Sequence, residues 1–299
     1  MSSLKRKTII PPIKCQGIKS KLTDWILDFV RLEDGEQWIE PFMGSGVVGF
    51  SLQPEKALFC DINPHLVNFY NSIKKGEITA KIARDFLEEE GRLLKEKGEA
   101  HYYSIRQRFN EKKVPLDFLF LNRACFNGVI RFNRKGFFNV PFGHKPERFA
   151  KAYVTKICNQ IEKIERAMKI FDWQFLCQDF RLTISGAKQT DWIYCDPPYM
   201  GRHIDYFNSW NEADESDLFN LLEKTPAKFI LSTWHSNRFR ENQALLKYAD
   251  LFEIITKNHF YHVGAKEMNR NSIMEAIILN FKTSESKLLR QPFQSQLFA

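Results

Sequence analysis

Long apolar runs are missing from this chain. No window approaches the roughly 20 consecutive apolar residues of a bilayer span, and Ile9-Ile10-Pro11-Pro12-Ile13, near the basic start, is too short for a secretory signal. A membrane-spanning or secreted protein is therefore not expected, and the expected location is cytoplasmic. Metal-binding and disulfide patterns are missing too. Cys15, Cys60, Cys125, Cys158, Cys177 and Cys195 include no Cys-x-x-Cys spacing, and no nearby histidine pair completes a zinc site. They read as reduced thiols, mostly buried, and no metal is expected. Acidic residues are the minority charge, 36 against 44 Lys and Arg, which leaves +8. That excess favours a polyanionic partner without establishing one, since modestly basic surfaces are common in proteins that bind no nucleic acid. The 14 glycines contain no Gly-Lys-Ser/Thr of a triphosphate loop, while Gly44, Gly46 and Gly49 stand at the Gly-x-Gly-x-x-Gly spacing.

What is present is an α/β pattern with an interruption, in a chain of 299 residues, long enough for a core domain and an insert of about 100 residues. Leu22, Trp25, Ile26, Phe29 and Val30 recur at helical spacing and predict a helix over 21–32. A short strand over 37–40 runs into Pro41-Phe42-Met43-Gly44-Ser45-Gly46 and an apolar helix from Val47. A second strand, 57–60, ends at Asp61, and a helix follows from Pro64 to about Lys75. This is the order of a nucleoside-binding βαβ unit. From Gly76 to about Ile170 the chain is helical, charged and aromatic, with a hairpin signal at Asn133-Arg134-Lys135-Gly136-Phe137-Phe138-Asn139. Strands return at 174–177, 191–195, 228–233, 252–255 and near 274–281. The expected domains are a discontinuous one, 1–75 with 170–282, and an insert, 76–169. Residues 283–299, polar in composition, are expected to form a loose tail.

Two motifs carry chemistry. In the first, Gly44 and Gly46 let the backbone pass close to a ligand, while Asp61, ending the next strand, can accept from ribose hydroxyls. The glycine turn alone would fit NAD, a nucleotide phosphate or nothing, and Asp61 adds an acceptor for ribose hydroxyls; S-adenosylmethionine is the expected ligand. The competing reading of Asp61-Ile62-Asn63-Pro64 is an ordinary helix start. The second motif is Asp196-Pro197-Pro198-Tyr199, after the apolar Trp192-Ile193-Tyr194-Cys195. Asp196 and the Pro197 carbonyl can accept both protons of an exocyclic amine and hold its nitrogen toward tetrahedral geometry. Two prolines fix the backbone, and Tyr199 offers a face on which an extruded base can stack. A strand ending in a proline turn, with Asp196 as its polar stop, is the alternative.

Longer stretches point further. Pro11-Pro12-Ile13-Lys14 with Gln16-Gly17-Ile18-Lys19, Glu40-Pro41-Phe42-Met43-Gly44 with Gly46-Val47-Val48, and Leu119-Phe120-Leu121-Asn122-Arg123 with Cys125-Phe126-Asn127-Gly128 are three of them. Gly201-Arg202-His203, Asp205-Tyr206-Phe207-Asn208-Ser209-Trp210 and His259-Phe260-Tyr261-His262-Val263-Gly264-Ala265 are others. Over about 11–281 the chain resembles the Dam-type (D12 class, alpha group) DNA adenine-N6 methyltransferases, and within them the EcoRV-type modification enzymes. The resemblance implies a Rossmann-like S-adenosylmethionine-dependent methyltransferase sheet with an inserted, mainly helical target-recognition domain containing a β-hairpin.

It also implies residue roles. Lys19 and Asp61, with Phe42, Gly44 and Gly46, would meet S-adenosylmethionine, and Asp196 would lie between cofactor and target amine. Cys15 stands where Dam has a tryptophan, so main-chain or thiol contact replaces stacking there. Asp179-Phe180 matches the adenine end of the cofactor site, although a capping acid beside a buried aromatic explains the pair almost as well. Arg131 would read guanine, Phe126 and Asn127 would fill or support the space left by a flipped base, and Lys14 would touch the site. Arg134 and Lys135, on the hairpin, would join the DNA contacts. Any single arginine here competes with a phosphate contact or a solvated face. The implied activity is direct methyl transfer to a flipped adenine of double-stranded DNA, in a restriction-modification system with a GATATC-like site. A solitary Dam-type enzyme reading GATC is the nearest rival, and a DNA-binding module without catalysis is the other. Gln294-Ser295-Gln296-Leu297-Phe298 resembles a peptide that docks on the bacterial sliding clamp; a bland terminus is the alternative.

Overall fold

The computed structural model describes residues 8–199, 210–237, 240–242, 245–260 and 272–283. The stretches 201–209 and 261–265 and the peptide 294–298 lie outside them. In chain order the elements are α1 (Thr23–Leu27), β1 (Gln37–Glu40), α2 (Val47–Leu52), β2 (Lys56–Asp61), α3 (Pro64–Lys74), α4 (Ala80–Lys97), α5 (Glu99–Lys112), α6 (Pro115–Ala124), α7 (Lys151–Ile170), β3 (Asp172–Cys177), α8 (Phe180–Ser185), β4 (Trp192–Cys195), α9 (Glu212–Lys224), β5 (Lys228–Asn237), β6 (Arg240–Glu241), α10 (Leu246–Ala249), β7 (Glu253–Phe260) and β8 (Ser272–Leu279). The mixed α/β class expected from the sequence is the class observed.

The chain divides into two compact units. The first holds the described residues up to Ile193 together with Pro198–Ala227. Its strands run in the order β3-β2-β1-β4, all parallel: Ile39 pairs with Leu58 and with Ile193, and Phe59 pairs with Phe175. The chain grows outward through β2 and β3 and then returns to the other side of β1. Between β1 and β4 is therefore the switch point beyond whose carboxyl ends such sheets bind ligands. Phe42–Gly46 follow β1, and Asp61 closes β2. The second unit holds Tyr194–Pro197 and the described residues from Lys228 onward. Here β8 pairs antiparallel with β5 and β7, and β6 pairs with β5.

Aromatic packing builds the first unit's core. Phe50 stacks on Trp173 at 5.4 Å, Phe59 on Phe175 at 5.2 Å and Tyr70 on Phe175 at 5.6 Å, all five side chains buried. Such pairs contribute about 0.5–1.5 kcal/mol each beyond their burial. The helices of 76–169 join this unit, with α6 and α7 packing on α3. Helix α4 turns Ala83, Leu87, Glu90, Gly91 and Leu94 inward at helical spacing. The buried acid in that stripe is paired: Glu90 meets His101 Nε2 at 2.7 Å and Arg108 at 2.9 Å, and Arg108 also holds the fully buried Asp117.

Helix α1 is shorter than the periodicity predicts. After Asp28 the bonds become i to i−3, Phe29 N–H to Ile26 O and Val30 N–H to Leu27 O, so the last turn tightens. Leu22, Ile26, Phe29 and Val30 nevertheless stay buried; the apolar stripe was read correctly and its helical extent was not.

Candidate active site and nucleic-acid interface

The glycine turn is held from three sides. Gly44 N–H donates to Asp61 Oδ2 at 2.9 Å, Met43 N–H to Cys60 O at 2.7 Å, and the Tyr70 hydroxyl to Ser45 O at 2.9 Å. Gly44 sits at φ 49° and Gly46 at φ 72°, the left-handed region that glycine adopts without a Cβ penalty. Their reasons differ. A Cβ on Gly44 would meet no protein atom within 4 Å, whereas one on Gly46 would lie 2.6 Å from the Phe50 ring. Gly46 thus makes room for the core, and only Gly44 faces open space. Helix α2 has six residues, so the cradle rests on Gly44 and Asp61 and not on a helix end.

Asp61 is not the helix start. That role falls to Asn63, whose side chain accepts His65 N–H at 3.0 Å, with Pro64 at the first helical position. Asp61 Oδ1 accepts Asn63 N–H at 2.9 Å. Each carboxylate oxygen therefore takes a backbone donor, and the two oxygens together keep lone-pair capacity for a further donor. Burial raises the Asp61 pKa, opposed by the N–H groups of Asn63, Gly44 and Ile62.

Phe42 stacks on Phe180 at 5.1 Å and meets Trp210 edge-on at 5.6 Å. Asp179 caps α8 by accepting Arg181 N–H at 2.8 Å, which is the structural reading of the Asp179-Phe180 pair. Arg181 then bridges to α9, donating to Asp214 and Asp217 at 2.7 Å each, and lies 4.4 Å from the Phe180 ring centroid. Neither Arg181 nor Trp210 had a role in the sequence reading. Asp179 also pairs with Arg181, but Asp214 and Asp217 sit more than 30 residues away, and only the aromatic at Trp210 could have signalled their part of the cluster.

Lys19 is buried beneath Tyr199, with Nζ 5.1 Å from its ring centroid and 3.3 Å from Gly17 O. Cys15, half-buried, has its thiol pKa pushed up by burial and then by the Asp61 charge. Asp196 and Pro197 follow the last two residues of β4 in the second unit, while Pro198 and Tyr199 belong to the first. Among the described residues, no group of three His, Cys, Asp or Glu side chains could hold a metal ion.

At the far end of α6 the chain turns outward. Phe126 is 55% exposed, and Asn127, also exposed, adopts φ 53°. Phe126 N–H is fixed to Pro141 O at 2.9 Å. Asn122, fully buried, binds Lys14 through both main-chain groups and also donates to Gly128 O. Arg131 donates to Asn139 Oδ1 at 2.8 Å, which orients its guanidinium. The expected hairpin is a turn closed by Gly136 N–H to Asn133 O and a single bridge, Phe132 to Phe138, with Arg134 and Lys135 exposed at its tip. His65 of α3 stacks under Phe132 at 4.9 Å, and burial lowers its pKa to about 4. Arg123, in contrast, is an interior residue that donates to Pro12 O and to Gln160 Oε1.

Comparison with known proteins extends this geometry. A family model described as D12 class N6 adenine-specific DNA methyltransferase matches residues 16–266. The chain is 32% identical to the DNA adenine methylase of Vibrio cholerae over 263 residues, 83% of this chain and 88% of that one. It is 30% identical to the type II methyltransferase M.FokI of Planomicrobium okeanokoites over 90% of this chain, and spans 42% of M.FokI's length. Type II methyltransferase M.MjaIII of Methanocaldococcus jannaschii is 28% identical over 91% of this chain and 99% of its own. This chain belongs to the D12 class of N6 adenine-specific DNA methyltransferases.

Proposed function

We propose that this enzyme methylates an adenine drawn out of duplex DNA at a site beginning GAT, and that it is the modification half of a restriction-modification system reading GATATC. In this division of labour 76–169 reads the DNA, and 1–75 with 170–282 carries the transfer. One observation supports the reading above others: the Gly44–Asp61 cradle and the exposed Phe126–Asn127 loop occur in one compact unit, with Lys14 tied to the loop through Asn122 and the next residue, Cys15, within reach of the Asp61 charge.

Methyltransferases of this kind in general take their methyl from S-adenosylmethionine, which supplies an electrophilic methyl on a positively charged sulfur. The residues present suit that donor. Asp61 keeps acceptor capacity for ribose hydroxyls, and Phe42, half-buried in its aromatic cluster with Phe180, offers an apolar wall. Asp179 closes the same cluster. Asp196 and the Pro197 carbonyl accept hydrogen bonds from the two amino protons of the adenine, which frees its nitrogen lone pair to form the bond to the methyl carbon as the carbon–sulfur bond breaks; one amino proton then leaves the methylated nitrogen, and Tyr199 stacks on the base. Alignment is then the main requirement. Direct transfer to the amine uses no cysteine nucleophile, and burial pushes the Cys125 thiol, next to Phe126, up to about 12.

Phe126 and Asn127 support the gap left by the extruded base. Arg131, steadied by Asn139, presents a fork suited to guanine, and Lys14, Arg134 and Lys135 add contacts to the duplex. A second reading, a solitary enzyme marking GATC, is favoured by the likeness to DNA adenine methylases along most of both chains. Sequencing the methylated positions in DNA from cells that express the protein separates the two. Marks confined to GATATC support the first reading, marks at every GATC the second, and methylated cytosine or no mark at all overturns both.

A further inference from the structure

Asn122 is not accounted for by donor binding or by base reading. It is 0% exposed near the end of an apolar helix, among the equally buried Phe118, Leu119, Phe120, Leu121 and Ala124. A buried amide is costly unless satisfied, and this one is well used. Oδ1 accepts Lys14 N–H at 2.8 Å, while Nδ2 donates to Lys14 O at 2.9 Å and to Gly128 O at 3.2 Å. One side chain thus ties a residue near the start of the chain to the loop that carries Phe126 and Asn127. The contact is tight as well as bonded. A Cβ on Gly128, which sits at φ 69°, would lie 2.7 Å from Lys14 Cδ. In the other direction the chain passes from Lys14 to Cys15, whose thiol feels the Asp61 charge, and to Lys19, buried beneath Tyr199.

We infer that Asn122 is a positioning residue that couples target recognition to methyl-donor binding. Because one amide holds Lys14 and Gly128 together, the base-reading loop cannot shift without moving the segment that leads to Cys15 and Lys19. The inference rests on the roles proposed above for that loop and for the Asp61 cradle. Coupling between two sites is reciprocal: the factor by which donor tightens DNA binding equals the factor by which DNA tightens donor binding. The neighbouring Arg123 makes its own tie to Pro12 O, so removing the Asn122 amide loosens the joint without undocking the segment.

The test uses Asn122→Ala and Gly128→Ala, the second acting from the loop side with Asn122 intact. For each, the Kd of a duplex containing the methylated site is measured with and without S-adenosylhomocysteine, which occupies the donor site without turnover. kcat/KM is compared for that site and for one with a single base changed. The parent is expected to bind its site more tightly with the analogue present. In the variants that factor falls toward one and site discrimination drops about tenfold, the scale of the lost buried hydrogen bonds. In Asn122→Ala, affinity for the analogue alone stays at the parental value. A residue that only stabilises the fold would lower the melting temperature and leave the coupling factor and discrimination unchanged; that result in either folded variant overturns the inference, as does a parent with a factor of one. If Asn122→Ala does not fold, Gly128→Ala reads the same joint. Parental methyl transfer to adenine is recorded on the same preparation. Its absence sinks the functional reading itself, whereas a methylating parent with uncoupled binding sinks only the role of Asn122.

Discussion

Replacing Phe126 with alanine separates stability from function. The ring is 55% exposed, and the loop is held by its main chain: Phe126 N–H donates to Pro141 O at 2.9 Å, and Phe126 O accepts Val129 N–H at 3.2 Å. Truncation removes little buried surface and none of these bonds, so stability should change by no more than about 0.5 kcal/mol. In the role proposed for it, the same ring meets bases on DNA. Stacking of a base on an aromatic is worth about 1–3 kcal/mol, and at about 1.4 kcal/mol per tenfold this is roughly 5- to 140-fold in the equilibrium that extrudes the adenine. The assay places a fluorescent adenine analogue at the target position, where unstacking raises its emission, and follows single-turnover methylation beside a thermal melt. The expected variant melts like the parent, shows a smaller fluorescence rise and transfers methyl more slowly within that range. Parental fluorescence and rate in Phe126→Ala would refute the stacking role. A large fall in melting temperature would instead show the ring to be part of the core.

Lys14 should impose a pH dependence, because burial first, and then the charges of Arg123 and Arg148, lower its amine to about 8. DNA affinity is expected to weaken between pH 7 and 9 as that charge is lost, and Lys14→Arg, charged throughout, should flatten the profile. The unfolded chain holds the Lys14 proton up to the ordinary lysine range, so between about pH 8 and that range it binds more protons than the folded chain. Burial of Lys14 therefore costs most stability below pH 8, and its contribution to stability rises with pH through that window; denaturant titrations of parent and Lys14→Met read the difference. Arg108→Ala strips the fully buried Asp117 of its cation and Glu90 of one of its two partners. Breaking such a pair costs about 3–5 kcal/mol, reduced here because Arg108 is itself partly exposed; an unchanged melting temperature would show that the pair is dispensable. For the tail, Leu297→Ala with Phe298→Ala should abolish retention on immobilised sliding clamp, and equal retention of parent and variant removes that partner.

The periodic parts of the fold were legible because each depends on near neighbours. Alternation and turn chemistry placed β1, β2 and α3 within a residue or two, and the cradle acid at the end of β2 followed from them. Side-chain environment was less legible, because it is decided by partners far away in sequence. Arg123 and Arg131 are eight positions apart in a stretch that reads uniformly as cations, amides and aromatics. One lies inside, donating to Pro12 O and Gln160; the other is oriented beside the exposed loop by Asn139. Nothing within that window distinguishes them, since Pro12 and Gln160 are 111 and 37 residues from Arg123. The same holds for Asn122, which reads as one more polar residue in a basic, aromatic motif until Lys14, 108 positions earlier, is found on its amide. A polar residue flanked on its helix by Phe118, Leu119, Phe120, Leu121 and Ala124 is nonetheless a signal in itself. Burial without a partner would be too costly, so such a residue announces a long-range bond before the bond can be seen. In this chain, that bond joins the proposed base-reading loop to the segment running toward Asp61.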